Sequence, residues 1–162
     1  MFQTAIRRVA VTPLVRGGAD LPPGDEAFVS LALDREIAAL WGDRAVLRDD
    51  STGRVAAGGT VVDPFPPERR QKPELHALAL VSAARVEPRE ALAGALDAEG
   101  WVDLARMAVA RNRPVPVLLA AAEGLGADRL GSDARPVLLS AAARDQAAEG
   151  LLERLRQWHA RH

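Results

Sequence analysis

Two pairs of neighbouring carboxylates, Asp25 with Glu26 and Asp49 with Asp50, are the first candidates for acid–base chemistry. General acid–base catalysis needs groups that reach the same substrate, whereas adjacent residues of an extended chain point to opposite faces. Both pairs lie beside Gly, Pro or Ser, which indicates solvated turns. Ser51 has no histidine near it in the sequence, so no neighbouring base can activate its hydroxyl. The sequence therefore predicts no catalytic residue and no enzyme activity.

The residue inventory also disfavours metal and nucleotide sites. The chain has no cysteine, and its three histidines are too scattered along the sequence to suggest a metal cluster: His76, His159 and His162. A phosphate-binding loop of the Gly-x-x-x-x-Gly-Lys-Ser/Thr type needs a lysine after glycine, but the only lysine, Lys72, follows Gln71. We expect no metal and no cofactor in this chain.

Acidic and basic residues balance over the chain as a whole. Its 162 residues include 21 Lys and Arg against 22 Asp and Glu, which gives a formal net charge of −1. A general nucleic-acid binder carries a basic field, so any contact with nucleic acid must come from a local patch.

No apolar run approaches the roughly 20 residues of a membrane helix, and the N-terminus has no signal-peptide core. We expect a cytoplasmic location.

The chain is organised around residues 43–67. Residues 44–48 and 60–62 are rich in β-branched or apolar side chains and predict two strands, with a polar turn at residues 49–53. Gly58 and Gly59 lie inside the strand-like run and predict a bulge or a close backbone approach. A proline-rich exit follows at residues 64–73.

This stretch has the pattern G-D-R-x-V-L-R-D-x-S, then an arginine, a glycine-rich step and V-V-D-P-x-P-P. It resembles the third domain of the bacterial selenocysteine-specific elongation factor, a β-barrel related to the last domain of the elongation factor Tu family. The residues that carry the match are Gly42, Asp43, Arg44, Val46, Leu47, Arg48, Asp49, Ser51, Arg54, Gly58, Gly59, Val61, Val62, Asp63, Pro64 and Pro67. Members of the family usually have a Thr, a large aliphatic residue and three glycines after the arginine that corresponds to Arg54. Residues 55–59 here are Val-Ala-Ala-Gly-Gly, so the Thr and one glycine are missing.

The resemblance implies that the barrel packs on the T stem of an elongator tRNA through backbone groups and basic side chains, and that its partner is selenocysteine tRNA. The RNA-binding candidates in this chain are Arg7, Arg8, Arg44, Arg48, Arg54, Arg69, Arg70 and Lys72. The alternative is that Arg44 and Arg48 pair with Asp43 and Asp49, and that the arginines after the barrel are merely solvated. For the parent factor, the resemblance also implies GTP and magnesium in an upstream domain, and the ribosome and an mRNA hairpin as partners.

Two strands are predicted before this stretch, at residues 4–15 and 28–37, because their apolar residues alternate. The resemblance places the beginning of the chain inside an early strand of the barrel. A sheet that lacks a neighbouring strand leaves unpaired backbone groups, which favours self-association. The open sheet edge and the C-terminal helix are therefore the two candidate surfaces for self-association.

After residue 73 the composition changes to Ala, Leu, Arg and Glu, and the apolar period changes from two to about 3.6. Helices are predicted at residues 74–85, 88–99, 103–111 and 116–123, a β-ribbon at residues 128–140, and a longer amphipathic helix at residues 141–162. Short helices followed by a ribbon are the order of a winged helix. Residues 101–105 and 157–162 also look like parts of the first and second winged helices of the same family.

The predicted fold class is mixed: an incomplete antiparallel β-barrel, like the third domain of elongation factor Tu, followed by a helical winged-helix domain. The predicted divisions are a barrel segment at residues 1–67, a linker at 68–73, a winged helix at 74–140 and a C-terminal helix at 141–162. Trp41, Trp101 and Trp158 lie outside basic stretches, so we expect them to anchor local packing rather than to stack on bases.

The predicted function is a non-catalytic segment of a selenocysteine-specific elongation factor. It would help to bind selenocysteinyl-tRNA and would connect the GTPase body to the winged helices that bind the mRNA hairpin. One alternative is a stand-alone winged-helix transcriptional regulator, which the absence of Arg, Lys, Asn and Gln at residues 116–123 disfavours. The other is a protein-interaction module that uses Leu151, Leu155 and Trp158 on one face of the last helix.

Overall fold

The computed structural model describes residues 11–15, 21–65 and 73–161, with side chains at 21–65 and 77–161. The chain divides into two compact units between Ala38 and Ala39. The predicted linker at residues 68–73 lies outside the described residues except for Pro73. The predicted domain boundaries therefore stay a prediction.

The described residues of the first unit form an antiparallel hairpin. Strand β1 (Val11–Val15) pairs with β2 (Val29–Leu33), with Val15 opposite Val29. The second strand is shorter than the predicted 28–37, because the chain bends at Asp34 and Arg35 directly after it. Most residues of β2 are exposed, so this strand buries little apolar surface.

The second unit begins with the hairpin of β3 (Arg44–Arg48) and β4 (Val55–Thr60). Strand β3 is as predicted, whereas the prediction of residues 60–62 for the returning strand is wrong. The turn closes early, because the N–H of Asp49 donates to the carbonyl of Arg54 at 2.9 Å and the N–H of Gly53 to the carbonyl of Asp49 at 2.8 Å. The chain is therefore already antiparallel to β3 at Val55.

The bulge of this hairpin also lies away from the predicted glycines. Leu47 pairs with Ala57 and Arg48 with Val55, so Ala56 is the extra residue. Gly58 and Gly59 occupy regular positions opposite Val46 and Ala45. A bulge adds one unpaired residue and increases the local twist, and here it does so beside the turn.

Helices and a small sheet make up the rest of the second unit. The elements in chain order are α1 (Pro73–Ala83), α2 (Pro88–Glu99), β5 (Trp101–Asp103), α3 (Leu104–Arg111), α4 (Val115–Ala122), β6 (Ala127–Ser132), β7 (Arg135–Ser140) and α5 (Ala141–Arg161). The four short helices and the ribbon lie close to their predicted positions. Strand β5 was not predicted, because a strand of three residues is too short to show an alternating apolar pattern. It pairs with β7, which gives an antiparallel sheet of order β5-β7-β6.

The helix ends have the local chemistry that their residues predict. Gly100 ends α2 in the left-handed region at φ 78°, and its N–H donates to the carbonyl of Leu96. The carboxylate of Asp103 begins α3 by accepting from the N–H of Arg106 at 2.9 Å, which supplies an acceptor to a free helix N–H group. Asn112 ends α3 at φ 48°. These caps fix where α3 begins and ends.

The core of the helical part is a single apolar cluster contributed by both helices and sheet. Its buried members are Leu92, Leu96, Val102, Leu104, Leu118 and Leu138. Each fully buried leucine of this kind stabilises the fold by about 1.5–3 kcal/mol relative to exposure to water. The cluster therefore holds α2, α3 and α4 against the three-stranded sheet.

Helix α5 is formed as predicted, but none of its described residues is buried. Its apolar face is open to solvent, with Leu151 63%, Leu152 52%, Leu155 50% and Trp158 55% exposed.

Within the described residues, β1–β2 and β3–β4 are separate two-stranded sheets, and no closed barrel is seen. The winged-helix assignment stays a prediction.

Helices α1 and α2 approach each other closely at Gly94. A Cβ at this position would lie 2.5 Å from Oγ and 2.9 Å from Cβ of Ser82, which is itself buried. We expect Gly94→Ala to lower the free energy of unfolding by about 1–3 kcal/mol, because overpacking forces the two helices apart. Urea denaturation measures this change.

Gly150 is the matched control, because a Cβ there meets nothing within 4 Å. Gly150→Ala should raise helix stability by about 0.5–1 kcal/mol, since alanine loses less backbone entropy in a helix. Equal effects of the two substitutions would contradict the close approach of α1 and α2.

Candidate nucleic-acid interface

One face of the β3–β4 hairpin presents two arginines to solvent. Side chains alternate along β3, so Arg44, Val46 and Arg48 share the exposed face while Ala45 and Leu47 are half-buried on the other. Arg48 is four positions along the strand from Arg44, so their Cα atoms are about 13 Å apart. Val46 is 60% exposed, and its partner on β4 is a glycine without a side chain. The face is therefore flat between two cationic groups.

The three predicted arginines of the hairpin are not neutralised by acids. Arg44, Arg48 and Arg54 are exposed, and none of them forms an ion pair with any residue in the described ranges. The guanidinium of Arg48 donates only to the carbonyl of Gly53, at 3.4 Å. The alternative pairing of Arg44 and Arg48 with Asp43 and Asp49 is thus wrong for this structure.

The acids next to these arginines bind the backbone of the turns instead. The carboxylate of Asp43 accepts from the N–H of Leu40 at 2.8 Å, in the turn that leads into β3. The carboxylate of Asp49 accepts from the hydroxyl of Ser51 at 2.6 Å and from both the N–H and the hydroxyl of Thr52 at 2.7 and 2.9 Å. Each carboxylate stabilises a turn and leaves the neighbouring arginine available.

Trp41, three residues before the start of β3 at Arg44, attaches the hairpin to the helical part. Its backbone N–H donates to the carbonyl of Ala110 in α3 at 2.7 Å. Its indole Nε1–H donates to the carbonyl of Ala83, the last residue of α1, also at 2.7 Å. One residue therefore bonds two helices, as predicted for a packing anchor.

A buried arginine lies against the indole ring. The guanidinium carbon of Arg111 is 4.6 Å from the ring centroid of Trp41, which is within the range of a cation–π contact. Arg111 is only 8% exposed. Its Nη2 donates to the carbonyls of Ala83 and Arg85 at 2.8 and 2.7 Å, and its Nη1 to the carbonyl of Val86 at 3.4 Å.

These carbonyls explain how a charge can be buried here without an acid. The last carbonyls of a helix lack helical partners and carry partial negative charge. Burial, and then the charge of Arg113, lower the pKa of Arg111, but a guanidinium remains protonated at physiological pH. The planar fork of Arg111 satisfies several carbonyls at once, which a lysine ammonium does not match.

The exit of the hairpin also contacts α3. The guanidinium carbon of Arg106 lies 5.0 Å from the ring centroid of Phe65. Arg106 and Arg111 both belong to α3, so this helix meets the chain before β3 and after β4. The base of the hairpin is held at two points on one helix.

The other predicted RNA-binding residues cannot be placed. Arg7, Arg8, Arg69, Arg70 and Lys72 lie outside the described residues. The structure thus brings together Arg44, Arg48 and Arg54 on one hairpin and leaves the remaining candidates as predictions.

Sequence reasoning missed Arg111 as part of the hairpin's support. The only signal was its position at the end of a predicted helix, where cations are common. Its contact with a tryptophan 70 positions earlier in the chain has no local signature.

The surface of α4 offers no cation to a nucleic acid. Its exposed residues are Pro116, Val117 and Ala120, followed by Glu123. Two arginine side chains near the ribbon are paired: Arg129 with Asp133, and Arg144 with Asp128 at 2.7 Å and with Asp145 at 3.0 Å, whereas Arg135 is exposed and forms no ion pair within the described residues. This arrangement does not suit the reading of base edges in a groove.

No group of three or more His, Cys, Asp or Glu among the described residues could hold a metal ion. No helix in the described part of the chain combines the length and apolarity needed to cross a membrane.

Comparison with known families identifies the β-stranded part. Residues 3–68 match the model of the β-barrel domain of the selenocysteine-specific elongation factor. The matched stretch includes all four strands from β1 to β4, and it supports the assignment of a segment of such a translation factor. No curated protein and no solved structure matches the chain significantly.

The pKa of Asp49 gives a test of the hairpin turn. Hydrogen bonds, first from the hydroxyl of Ser51 and then from the N–H and hydroxyl of Thr52, lower this pKa from 3.8 to about 2. Because the folded pKa is depressed, the stabilisation is complete above 3.8 and is lost as the pH falls through about 2. We expect NMR titration of the carboxyl group to show this midpoint, and the N–H of Thr52 to lose its hydrogen bond over the same range.

Asp49→Asn should remove this acid transition, because the amide does not titrate. Asp50→Asn is the control, since its carboxylate accepts no hydrogen bond from any described residue. A transition that persists in Asp49→Asn would contradict the assignment.

The contact between Arg111 and Trp41 gives a second test. We expect Arg111→Ala to lower the free energy of unfolding by about 1–3 kcal/mol, because buried carbonyls lose their donor. The emission of Trp41 should shift to longer wavelength as its ring becomes exposed. The measurement requires Trp101→Phe and Trp158→Phe in the background, since these two rings are about half exposed.

Arg111→Lys should give an intermediate effect, because it keeps the charge but not the fork. Arg154→Ala, on the exposed α5, is the control for loss of one positive charge. Unchanged emission in Arg111→Ala would show that the ring is held without Arg111.

Proposed function

We propose that this chain is a non-catalytic segment of a selenocysteine-specific elongation factor that contributes to the binding of selenocysteinyl-tRNA. The match of residues 3–68 to the β-barrel domain of that factor carries the proposal. The exposed arginine face of β3 and β4 is the surface that we assign to the RNA. GTP and magnesium would bind to another part of the parent factor, in the cytoplasm.

The chemistry of the hairpin fits a nucleic-acid backbone. A guanidinium binds phosphate through parallel N–H groups, and phosphate contacts position a protein without reading sequence. Arg44 and Arg48 lie on one face, and the neighbouring carboxylates are engaged in turns. Arg54 follows the turn at the far end of the hairpin. The anchor at Trp41 keeps this face in one orientation on α3.

We further propose that the helical part is a winged helix that serves as a spacer towards an mRNA-binding end of the parent factor. The order α2, β5, α3, α4, β6 and β7 supports this assignment. The outward side of α4 is apolar and ends in an acid, and Arg129 and Arg144 near the ribbon are paired with aspartates. These features favour packing over the reading of DNA, and they disfavour a transcriptional regulator.

An interaction module remains the second candidate, and α5 is the observation that favours it. Leu151, Leu155 and Trp158 are each at least half exposed on one face. Such a face would bind another apolar surface rather than RNA. Sedimentation of the chain at increasing concentration would detect self-association through α5, and Leu155→Glu should abolish it.

The test of RNA binding is a salt titration of the chain with selenocysteine tRNA. Each lost phosphate contact should reduce the slope of log K against log salt by about 0.7–0.9. We expect the double variant Arg44→Ala/Arg48→Ala to bind more weakly and to lower the slope by about 1.4–1.8.

The control is the double variant Arg135→Ala/Arg154→Ala, which removes two exposed arginines that form no ion pair within the described residues. An ordinary elongator tRNA and duplex DNA are the control ligands. Equal binding of all three ligands, or equal slopes in both double variants, would contradict the proposed function.

A further inference from the structure

The residues around Arg111 form a second cationic surface beside the hairpin. The carbonyl of Arg85 accepts a hydrogen bond from Arg111 at 2.7 Å, which places the backbone of Arg85 against this group. Arg113 is close enough for its charge to disfavour the charged form of Arg111. The ring of Trp41, which lies three residues before Arg44, also contacts this guanidinium.

Local hydrogen bonds hold both exposed arginines of this surface in place. The N–H of Arg85 donates to the carbonyl of Ser82 at 3.1 Å, directly after α1. The N–H of Arg113 donates to the carbonyl of Ala108 at 2.9 Å, directly after α3. The backbone of Arg85 and of Arg113 is thus fixed by a hydrogen bond to the helix that each residue follows.

No described acid neutralises this group of charges. Arg44, Arg85 and Arg113 are exposed, and none of them forms an ion pair with a residue of the described ranges. The nearest acids in sequence are Asp43, which binds the backbone of Leu40, and Glu87. The charge of Arg113 and the buried guanidinium of Arg111 repel each other, and a bound anion would relieve that repulsion.

We propose that Arg85 and Arg113, together with Arg44, form a second phosphate-binding surface for the RNA that the hairpin holds. This inference rests on the proposed function and extends the RNA contact from the hairpin to the ends of α1 and α3. Arg44 belongs to both surfaces, so the RNA backbone would run continuously from the hairpin face to the helical part. The Trp41–Arg111 contact sets the angle between them.

A purely structural role for the two arginines makes a different prediction. Arg85 and Arg113 follow helix C-termini, where a positive charge interacts favourably with the helix dipole. Loss of that interaction would lower stability but would leave the number of phosphate contacts unchanged. The slope of the salt titration separates the two roles, because it counts neutralised phosphates.

The experiment compares the double variant Arg85→Ala/Arg113→Ala of the whole chain with the parent chain, using selenocysteine tRNA as the probe. We expect weaker binding and a slope lowered by about 1.4–1.8, with about half that change in each single variant. Arg135→Ala/Arg154→Ala is again the control for loss of two charges. Circular dichroism and urea denaturation establish that each variant is folded under the conditions of the titration.

The outcomes distinguish this inference from the proposed function. An unchanged slope in Arg85→Ala/Arg113→Ala, with a lowered slope in Arg44→Ala/Arg48→Ala, overturns the second surface alone. Unchanged slopes in both, or no salt-dependent binding by the parent chain, overturn the proposed function and this inference together. Displacement of the RNA by polyglutamate of equal charge and concentration would show a surface for any polyanion, and would overturn the assignment to RNA.

Discussion

The burial of Arg111 is the interaction on which the arrangement of the second unit depends. A guanidinium with 8% exposure needs partners for its N–H groups, and here they are the carbonyls around the end of α1. Because Trp41 covers the guanidinium and donates to the same carbonyl of Ala83, one cluster joins α1, α3 and the chain that enters β3. Removing Arg111 would leave the carbonyls of Arg85 and Val86 without this donor.

This cluster connects the stability of the unit to its surface chemistry. The hairpin has only two strands, and an isolated pair of strands is marginal in water. Attachment through Trp41 at one end and Phe65 at the other supplies the support that the hairpin lacks. The engagement of Asp43 and Asp49 in turns then leaves the arginine face charged without an ion pair. Fixed position and uncompensated charge are together what a phosphate contact requires.

Local patterns were sufficient to predict most elements and some of the candidate site. Strand β3 and helix α2 follow from alternation and from Pro88 and Gly100, and the family pattern of the hairpin agrees with the match of residues 3–68. The returning strand was predicted at residues 60–62 with a bulge or close approach at Gly58 and Gly59, whereas it spans Val55–Thr60 and its bulge is at Ala56. The hydrogen bonds of the side chain and backbone of Asp49 close the turn within a few residues. Residue propensities indicate that a turn occurs here but not which polar group forms those hydrogen bonds.

The sequence by itself determined the periodicities, the caps of α3, the lack of a phosphate-binding loop motif and the resemblance of the hairpin to a known family. Only the tertiary structure decided that Asp43 and Asp49 bond within turns and leave Arg44 and Arg48 without an ion pair. It also decided that the residue packed against the ring of Trp41 is Arg111 and not an acid. The physical reason is distance along the chain. Capping and alternation act between residues a few positions apart, whereas Trp41 and Arg111 meet only after α1, α2 and α3 have packed. Burial of a charge is a property of that packing, and no local window contains it.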